Sequence, residues 1–279
     1  MTDRIPSEAL SDVAYLSRSE NRVAILDALA RESYPRRELG EETGVSRTTL
    51  DRIVNELESR DWAERTSDGE YTATRTGRYL VAEFRPLVDS VEAIRQLGDA
   101  LTWLPEELDI GLEHFSDATV RRPAGSDPMG TVDYFVDLAS DASELRVLSH
   151  LAPPVPLSRT IRDRVVTGEL TGTFVIVEDC LALLHENESR RGRWQEIVAS
   201  GGEVYRYDGH IPCNLFVFDD LVLIKKSAPG SFQDAYGTPI ESENDTVRDW
   251  ATGLVETYRA DAARVEADGF TGPPQVGDQ

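Results

Sequence analysis

Apolar positions recur every three to four residues over the first third of the chain. In Glu20–Arg31 the residues Val23, Ile25, Leu26, Leu29 and Ala30 gather at near-helical spacing. Ser19 occupies the N-cap position, and Arg22 and Arg31 fall on the polar side. Ser33-Tyr34-Pro35 breaks the pattern. A second, short helix is predicted over Arg36–Thr43, with Leu39 turned in and Gly44 closing it where a left-handed residue is wanted. Val45 packs the turn. Ser46 is placed to cap a third helix, Arg47–Arg60, whose stripe is Leu50, Ile53, Val54 and Leu57.

The period then shortens. Trp62–Thr66 reads as a strand, Ser67-Asp68-Gly69-Glu70 as a turn with an Asp-Gly hairpin signal, and Tyr71–Thr74 as the return strand. Thr76 is the expected cap of a long helix that carries Gly77, Leu80, Val81 and Phe84. Pro86 interrupts or kinks it, and Leu87, Val91, Ile94, Leu97 and Leu101 continue it to Leu104-Pro105. The stretch from Glu106 to Pro128 is irregular, with a candidate strand at Val120–Pro123 and a loop at Ala124–Pro128.

Beyond it, helices and strands alternate. Helices are predicted over Thr131–Ala139, Leu157–Gly168 and Arg193–Ser200. Strands are predicted over Leu145–Ser149, Gly172–Val177 and Val204–Tyr207. Leu215–Phe218 and Val222–Ile224 flank Asp219-Asp220 as a hairpin, and an amphipathic helix runs from Asp245 to about Glu266. This alternation predicts an α/β sheet. The fold expected is α+β: a winged helix-turn-helix over 1–80, a linker or dimerisation helix and connection over 81–128, an α/β sensor domain over 129–268, and a disordered Gly/Pro-rich tail over 269–279.

Charge changes the picture. The 279 residues include 51 acidic and 29 basic side chains, a net charge of −22, and the only lysines are Lys225 and Lys226. Such an acidic surface repels itself at low salt, but molar salt shortens the Debye length to about 3 Å. The composition therefore points to a halophile's cytoplasmic protein. Phosphate neutralisation drives non-specific nucleic-acid affinity, so an acidic chain needs a local motif to bind DNA. No apolar run approaches the roughly 20 residues of a membrane span, and no export signal is read at the start. Cys180 and Cys213 are expected to be free, inert thiols, with a redox switch as the less favoured reading.

The third helix supplies the motif. A recognition helix presents its first residues to base edges in the major groove. Here those are Ser46, Arg47, Thr48 and Thr49, followed by Arg52 and Asn55. Arginine can grip guanine, asparagine can grip adenine, and threonine can contact either a base or the thymine methyl. Arg36 precedes the turn. Arg65 in the wing, with Arg75 and Arg78 behind it, can reach phosphate or the minor groove. The plainer alternative is a protein-interaction module whose arginines are merely solvated.

The strings Tyr15-Leu16-Ser17-Arg18-Ser19-Glu20-Asn21-Arg22, Arg36-Arg37-Glu38-Leu39, Gly44-Val45-Ser46-Arg47-Thr48-Thr49-Leu50, Leu57-Glu58-Ser59-Arg60-Asp61-Trp62 and Thr74-Arg75-Thr76-Gly77 resemble haloarchaeal winged-helix transcription regulators. The later part is similar to the sensor domain of the archaeal family named for a methanogenesis filament regulator. That similarity rests on Ile211-Pro212-Cys213-Asn214-Leu215, Phe218-Asp219-Asp220, and Asp245–Arg259 with Trp250 and Tyr258. The resemblance implies a phospholipase D-like fold. Cys213-Asn214 stands where such domains often have Phe-Gly, so the resemblance does not name a ligand.

Phospholipase D chemistry needs a histidine with a lysine two residues on. His114, His150, His185 and His210 are followed at that spacing by Ser116, Ala152, Asn187 and Pro212, so no enzyme is expected. His150, Asn214 and Lys225 are the candidate ligand-binding residues. Structural hydrogen bonding is the plainer reading for the first two, and a solvated strand end for the lysine. The expected partners are double-stranded promoter DNA, a second copy of the chain and a small-molecule effector. No cofactor, metal or membrane is expected.

Overall fold

The computed structural model describes residues 6–121, 130–186, 188–226 and 239–270. The chain forms two compact units, Met1–Val88 and Asp89–Gln279.

The first unit contains α1 (Ser7–Ser17), α2 (Glu20–Arg31), α3 (Arg36–Thr43), α4 (Arg47–Ser59), β1 (Ala63–Arg65), β2 (Tyr71–Ala73) and the start of α5 (Arg75–Leu97). Its core is the predicted stripe set: Ile25, Leu26, Leu29, Leu39, Leu50, Ile53 and Leu57 are fully buried. Gly44 closes α3 at φ +65°, the left-handed region that glycine enters without strain. The β1–β2 hairpin pairs Ala63 with Ala73 and Arg65 with Tyr71, and Gly69 takes φ +85° at its turn.

Several expectations are revised here. Helix α1 was not predicted, because it buries only Tyr15 and Leu16 and so shows little stripe. The helix does break at Ser33-Tyr34-Pro35, and there Tyr34 also exchanges backbone hydrogen bonds with Tyr71, a single bridge to the wing that was not expected. Ser46 stands at the N-cap position, but its hydroxyl donates to Thr49 Oγ1 (3.0 Å) and caps no backbone group. The cap of α5 is Thr74, whose Oγ1 accepts from the Gly77 N–H (3.1 Å), and not Thr76. Arg22 is turned inward, not solvated. Helix α5 runs on through Pro86.

The second unit is a sheet covered on both faces. Among the described residues its strands lie in the order β10-β6-β5-β4-β7-β8-β9-β3. They are β3 (Thr119–Val120), β4 (Glu144–Ser149), β5 (Thr171–Val177), β6 (Glu203–Tyr207), β7 (Cys213–Phe218), β8 (Leu221–Lys226), β9 (Ile240–Ser242) and β10 (Ala263–Val265). Strands β4, β5 and β6 are parallel, and the remaining pairings are antiparallel. Side chains alternate between faces. Val147, Phe174, Phe216 and Leu223 pack under α6 (Gly130–Asp141), α7 (Val155–Val166), α8 (Glu178–His185) and α9 (Glu188–Ala199). Leu148, Val175, Leu215 and Ile224 pack on the other side with α10 (Asp245–Ala260) and the end of α5. Asn244 caps α10, its Oδ1 accepting from Thr246 and Val247 N–H. No described helix is long and apolar enough to cross a membrane.

The stretch expected as a separate linker is divided. Ala93, Leu97, Ala100, Leu104, Phe115 and Ala118 belong to the second core. Helix α8 was missed, and α9 begins at Glu188, ahead of the predicted Arg193. The last helix ends at Ala260, and Ala263–Val265 pairs with β6 as an edge strand. Gly269 and Phe270 are ordered: Phe270 is buried and stacks on His185 (5.3 Å, 7°). The predicted loop at 124–128, the end of the candidate strand at 122–123, and the tail from 271 lie outside the described residues.

Gly77 brings α5 against the Trp62 backbone so closely that a Cβ there would collide with the Trp62 carbonyl. Gly77→Ala is expected to lower first-unit stability by about 1–3 kcal/mol, read by urea denaturation of the full chain. An unchanged midpoint would contradict this contact.

Candidate nucleic-acid interface

The interface is built on a buried aromatic. Tyr15 from α1 is edge-on to Trp62 (centroids 5.5 Å), with the Arg22 guanidinium 4.0 Å and the Arg60 guanidinium 4.1 Å from its ring centre. Its hydroxyl donates to Glu56 Oε2 (3.0 Å), which also accepts from Arg22 (3.3 Å), while Arg22 donates to the Tyr15 carbonyl (2.7 Å). Burial, then the Glu56 hydrogen bond, pushes the phenol up to about 12. Burial alone would raise Glu56, but the bonds from Arg52 and Tyr15 outweigh it and hold its carboxyl below the usual range.

This knot fixes the buried face of α4, and the opposite face is open. Arg47, Thr48, Arg52 and Asn55 are exposed, and Thr49 is half-buried. Their charges are not equivalent. Arg52 is tied to Glu56 (2.7 Å), Arg36 to Asp51, and Arg37 to Glu41 (2.9 Å). Arg47 has no ion pair among the described residues. Arg36, Arg37 and Arg47 rim a notch of about 530 Å³ between α3 and α4, floored by Gly40, Val45 and Leu50. In the wing, Arg65 reaches the Tyr71 hydroxyl and lies over its ring, and Arg78 donates to Thr72 Oγ1 (3.1 Å). Arg75 reaches Tyr79 (3.4 Å). These three cations meet neutral partners and keep their charge for a polyanion.

All nine predicted DNA-contacting residues thus fall on α3, the turn, α4, the wing and the first residue of α5. Sequence reasoning missed Arg37, which is mostly exposed at the notch, and the Tyr15–Glu56–Arg60 knot. Arg37 adjoins Arg36 and could have been found from that doublet. The knot joins residues some forty positions apart, and periodicity carries no such signal.

In the second unit, Ser149, Asn214 and Lys225 form one cross-strand row over β4, β7 and β8. All three are buried. Asn214 Oδ1 accepts from Ser149 Oγ (2.9 Å) and the His150 N–H (3.0 Å), and its amide donates to the Lys226 carbonyl (2.7 Å). The expectation of a solvated Lys225 is corrected: it is 2% exposed, and Lys226 is the one that faces out. In a strand, consecutive side chains point to opposite faces, so one of the two had to be turned in. Cys180 and Cys213 are free and buried on opposite sides of the sheet, and burial pushes each thiol up to about 12. Among the described residues no cluster of His, Cys, Asp or Glu could hold a metal ion.

The chain thus pairs a winged helix, whose third helix is open and arginine-bearing, with a covered α/β sheet domain. Residues 10–96 match the HVO_A0261 N-terminal domain, and residues 128–261 match the middle domain of the methanogenesis regulatory protein FilR1. The first match spans the winged helix and most of α5, and the second spans most of the α/β sheet domain. Comparison with curated proteins gives no match. Among solved structures, the archaeal chromatin protein TrmBL2 is 15% identical with a TM-score of 0.41, covering 91% of this chain and 98% of that one. The O-methyltransferase NcsB1 from neocarzinostatin biosynthesis is 14% identical at 0.26, covering 73% and 84%. Likeness at this level says nothing of what the chain binds.

Glu56 sets a pH dependence. A carboxyl held below its unfolded value near 4.5 stabilises fully above that value, and the contribution fades as pH falls through the lower folded value. Glu56→Gln should lower first-unit stability at neutral pH and remove part of its loss below about pH 4.5. Thermal unfolding across the acid range checks this, and an acid limb identical to the parent's would count against it.

Proposed function

We propose that this chain is a sequence-specific DNA-binding transcription regulator that acts as a homodimer in the cytoplasm. Its second unit senses an effector and is not an enzyme. The observation that carries the reading is the outward face of α4, where Arg47, Thr48 and Asn55 are exposed and uncommitted beside the cationic wing. In this reading Arg47 and Asn55 read base edges, with Arg52, Thr48 and Thr49 beside them. Arg36, Ser46, Arg65 and Arg75 hold the backbone. Along α5 the residues Leu87, Val88, Val91 and Ile94 are each nearly half exposed at spacings of three and four, which suits a helix of a second copy. His150, Asn214 and Lys225 are the residues proposed to meet the effector.

Duplex binding in molar KCl tests the first part. Arg47→Ala should lower specific affinity by about 1–3 kcal/mol, a loss of one good base contact. Arg52→Ala should lose less, because Arg52 must first leave Glu56. Equal affinity for all duplexes, unchanged by Arg47→Ala, would favour a protein-interaction module instead.

Sedimentation tests the second part. The parent is expected to be a dimer at micromolar concentration, and Val91→Glu with Ile94→Glu is expected to be a monomer that keeps its fold. A monomeric parent would end the homodimer reading.

A further inference from the structure

The second unit also carries an arginine cluster that none of the roles above uses. Arg159 and Arg162 are three residues apart on α7, and Arg190 and Arg193 are three apart on α9, so each pair shares a helix face. The two helices pack against one another. Arg193 is only 8% exposed. Its guanidinium donates to Ser189 Oγ (2.9 Å), while its Nε is buried with no hydrogen-bond partner. Burial first, then Arg159, Arg190 and Arg162 around it, holds its pKa below that of an ordinary arginine.

The acidic groups at the cluster are few. Arg162 meets Asp163 (3.0 Å) and Glu196 (3.5 Å), and Arg190 meets Glu186 (3.3 Å). Arg159 and Arg193 have no carboxylate partner among the described residues. Leaving a buried guanidinium unpaired among like charges is destabilising. It is the more notable in a chain with 51 acidic residues, where a carboxylate could easily have been placed.

We propose that the α7–α9 arginines form a binding site for a small, multiply charged oxyanion of the phosphate-ester class. Guanidinium forks match the oxygens of such a group and bind it bidentately. Two guanidiniums without carboxylates call for a dianion more than for a halide. The recess of Arg193 selects a small molecule over a duplex backbone, whose phosphates meet exposed side chains. Helix α7 begins just past the carboxyl-terminal end of β4, the end of the parallel strands at which ligands of open α/β sheets bind. The site rests on the effector-sensing reading for its regulatory meaning, though binding itself does not depend on the DNA-reading face.

Inorganic phosphate is the probe. The full chain is titrated with it at fixed ionic strength in KCl, following the thermal midpoint and the ³¹P linewidth. The parent should show saturable binding. Arg193→Met, and separately Arg159→Gln with Arg162→Gln, should weaken it at least tenfold. Without phosphate, Arg193→Met should melt higher than the parent, because the buried repulsion is gone. If Arg193→Met does not fold, the double variant of the outer arginines decides. Absence of saturation in the parent overturns the proposal, as does equal binding in parent and variants, which would mean an adventitious ion only. Loss of duplex binding with phosphate binding intact would assign the cluster to DNA and also overturn it. Phosphate binding that survives Arg47→Ala separates this site from the DNA-reading face, so either reading can fail alone.

Discussion

Tyr15 is the point at which α1, α2, α4 and the wing hold one another. Its ring is gripped on α2 by Arg22 and after α4 by Arg60, and it meets Trp62 at the start of the wing. A cation over an aromatic face contributes about 0.5–1 kcal/mol when exposed, and more when water is excluded. The phenol hydroxyl then reaches Glu56, one turn from the outward-facing Arg52 that the same carboxylate holds. The scaffold and the candidate reading face therefore share one charged group. The orientation of α4 follows from this knot, from the fully buried Leu50, Ile53 and Leu57 stripe, and from Gly77 admitting the Trp62 backbone.

The chain as a whole is strongly acidic, whereas its first unit holds 17 of the 51 acidic and 13 of the 29 basic side chains. A net charge of −22 would repel a phosphate backbone at low salt. The face that would approach DNA spends part of its basic charge internally, with Arg36, Arg37 and Arg52 each holding a carboxylate. Arg47, Arg65, Arg75 and Arg78 are left to act. In molar salt, counterion release adds little to affinity, so discrimination would lean on a few base contacts from a well-fixed helix. Rigid placement of α4 by the Tyr15 knot serves that need.

Elements with a strong period were legible. The stripes of α2, α3 and α4 and the Asp-Gly wing could be read because each buries one face against a single core. Elements that bury little were not: α1 hides Tyr15 and Leu16 alone, and α8 is a single short turn pair after β5. Asp245–Ala260 and Ala263–Val265 were merged, because the chain reverses at Asp261-Ala262 with no Gly or Pro to mark it. The candidate DNA face was legible because its residues are close in sequence. The α7–α9 arginines were not, and Asn214 and Lys225 were singled out one by one without Ser149 or the row they form, since register and helix packing assemble both groups.

The second unit places its costly groups on one face of one sheet. Lys225 and Asn214 lie on the side of β7 and β8 that also carries Phe216 and Leu223, and Arg193 lies on a helix covering that side. Replacing buried charged groups by apolar ones of similar size is often neutral or stabilising. A lysine 2% exposed and an arginine 8% exposed are therefore poor devices for stability alone. The opposite face, with Leu148, Val175, Leu215, Val222 and Ile224, shows that this sheet can be packed with an apolar core. Both faces carry an apolar core, so the contrast lies in the buried polar and charged groups alone, and it is these that support the proposed ligand site on the α7–α9 side.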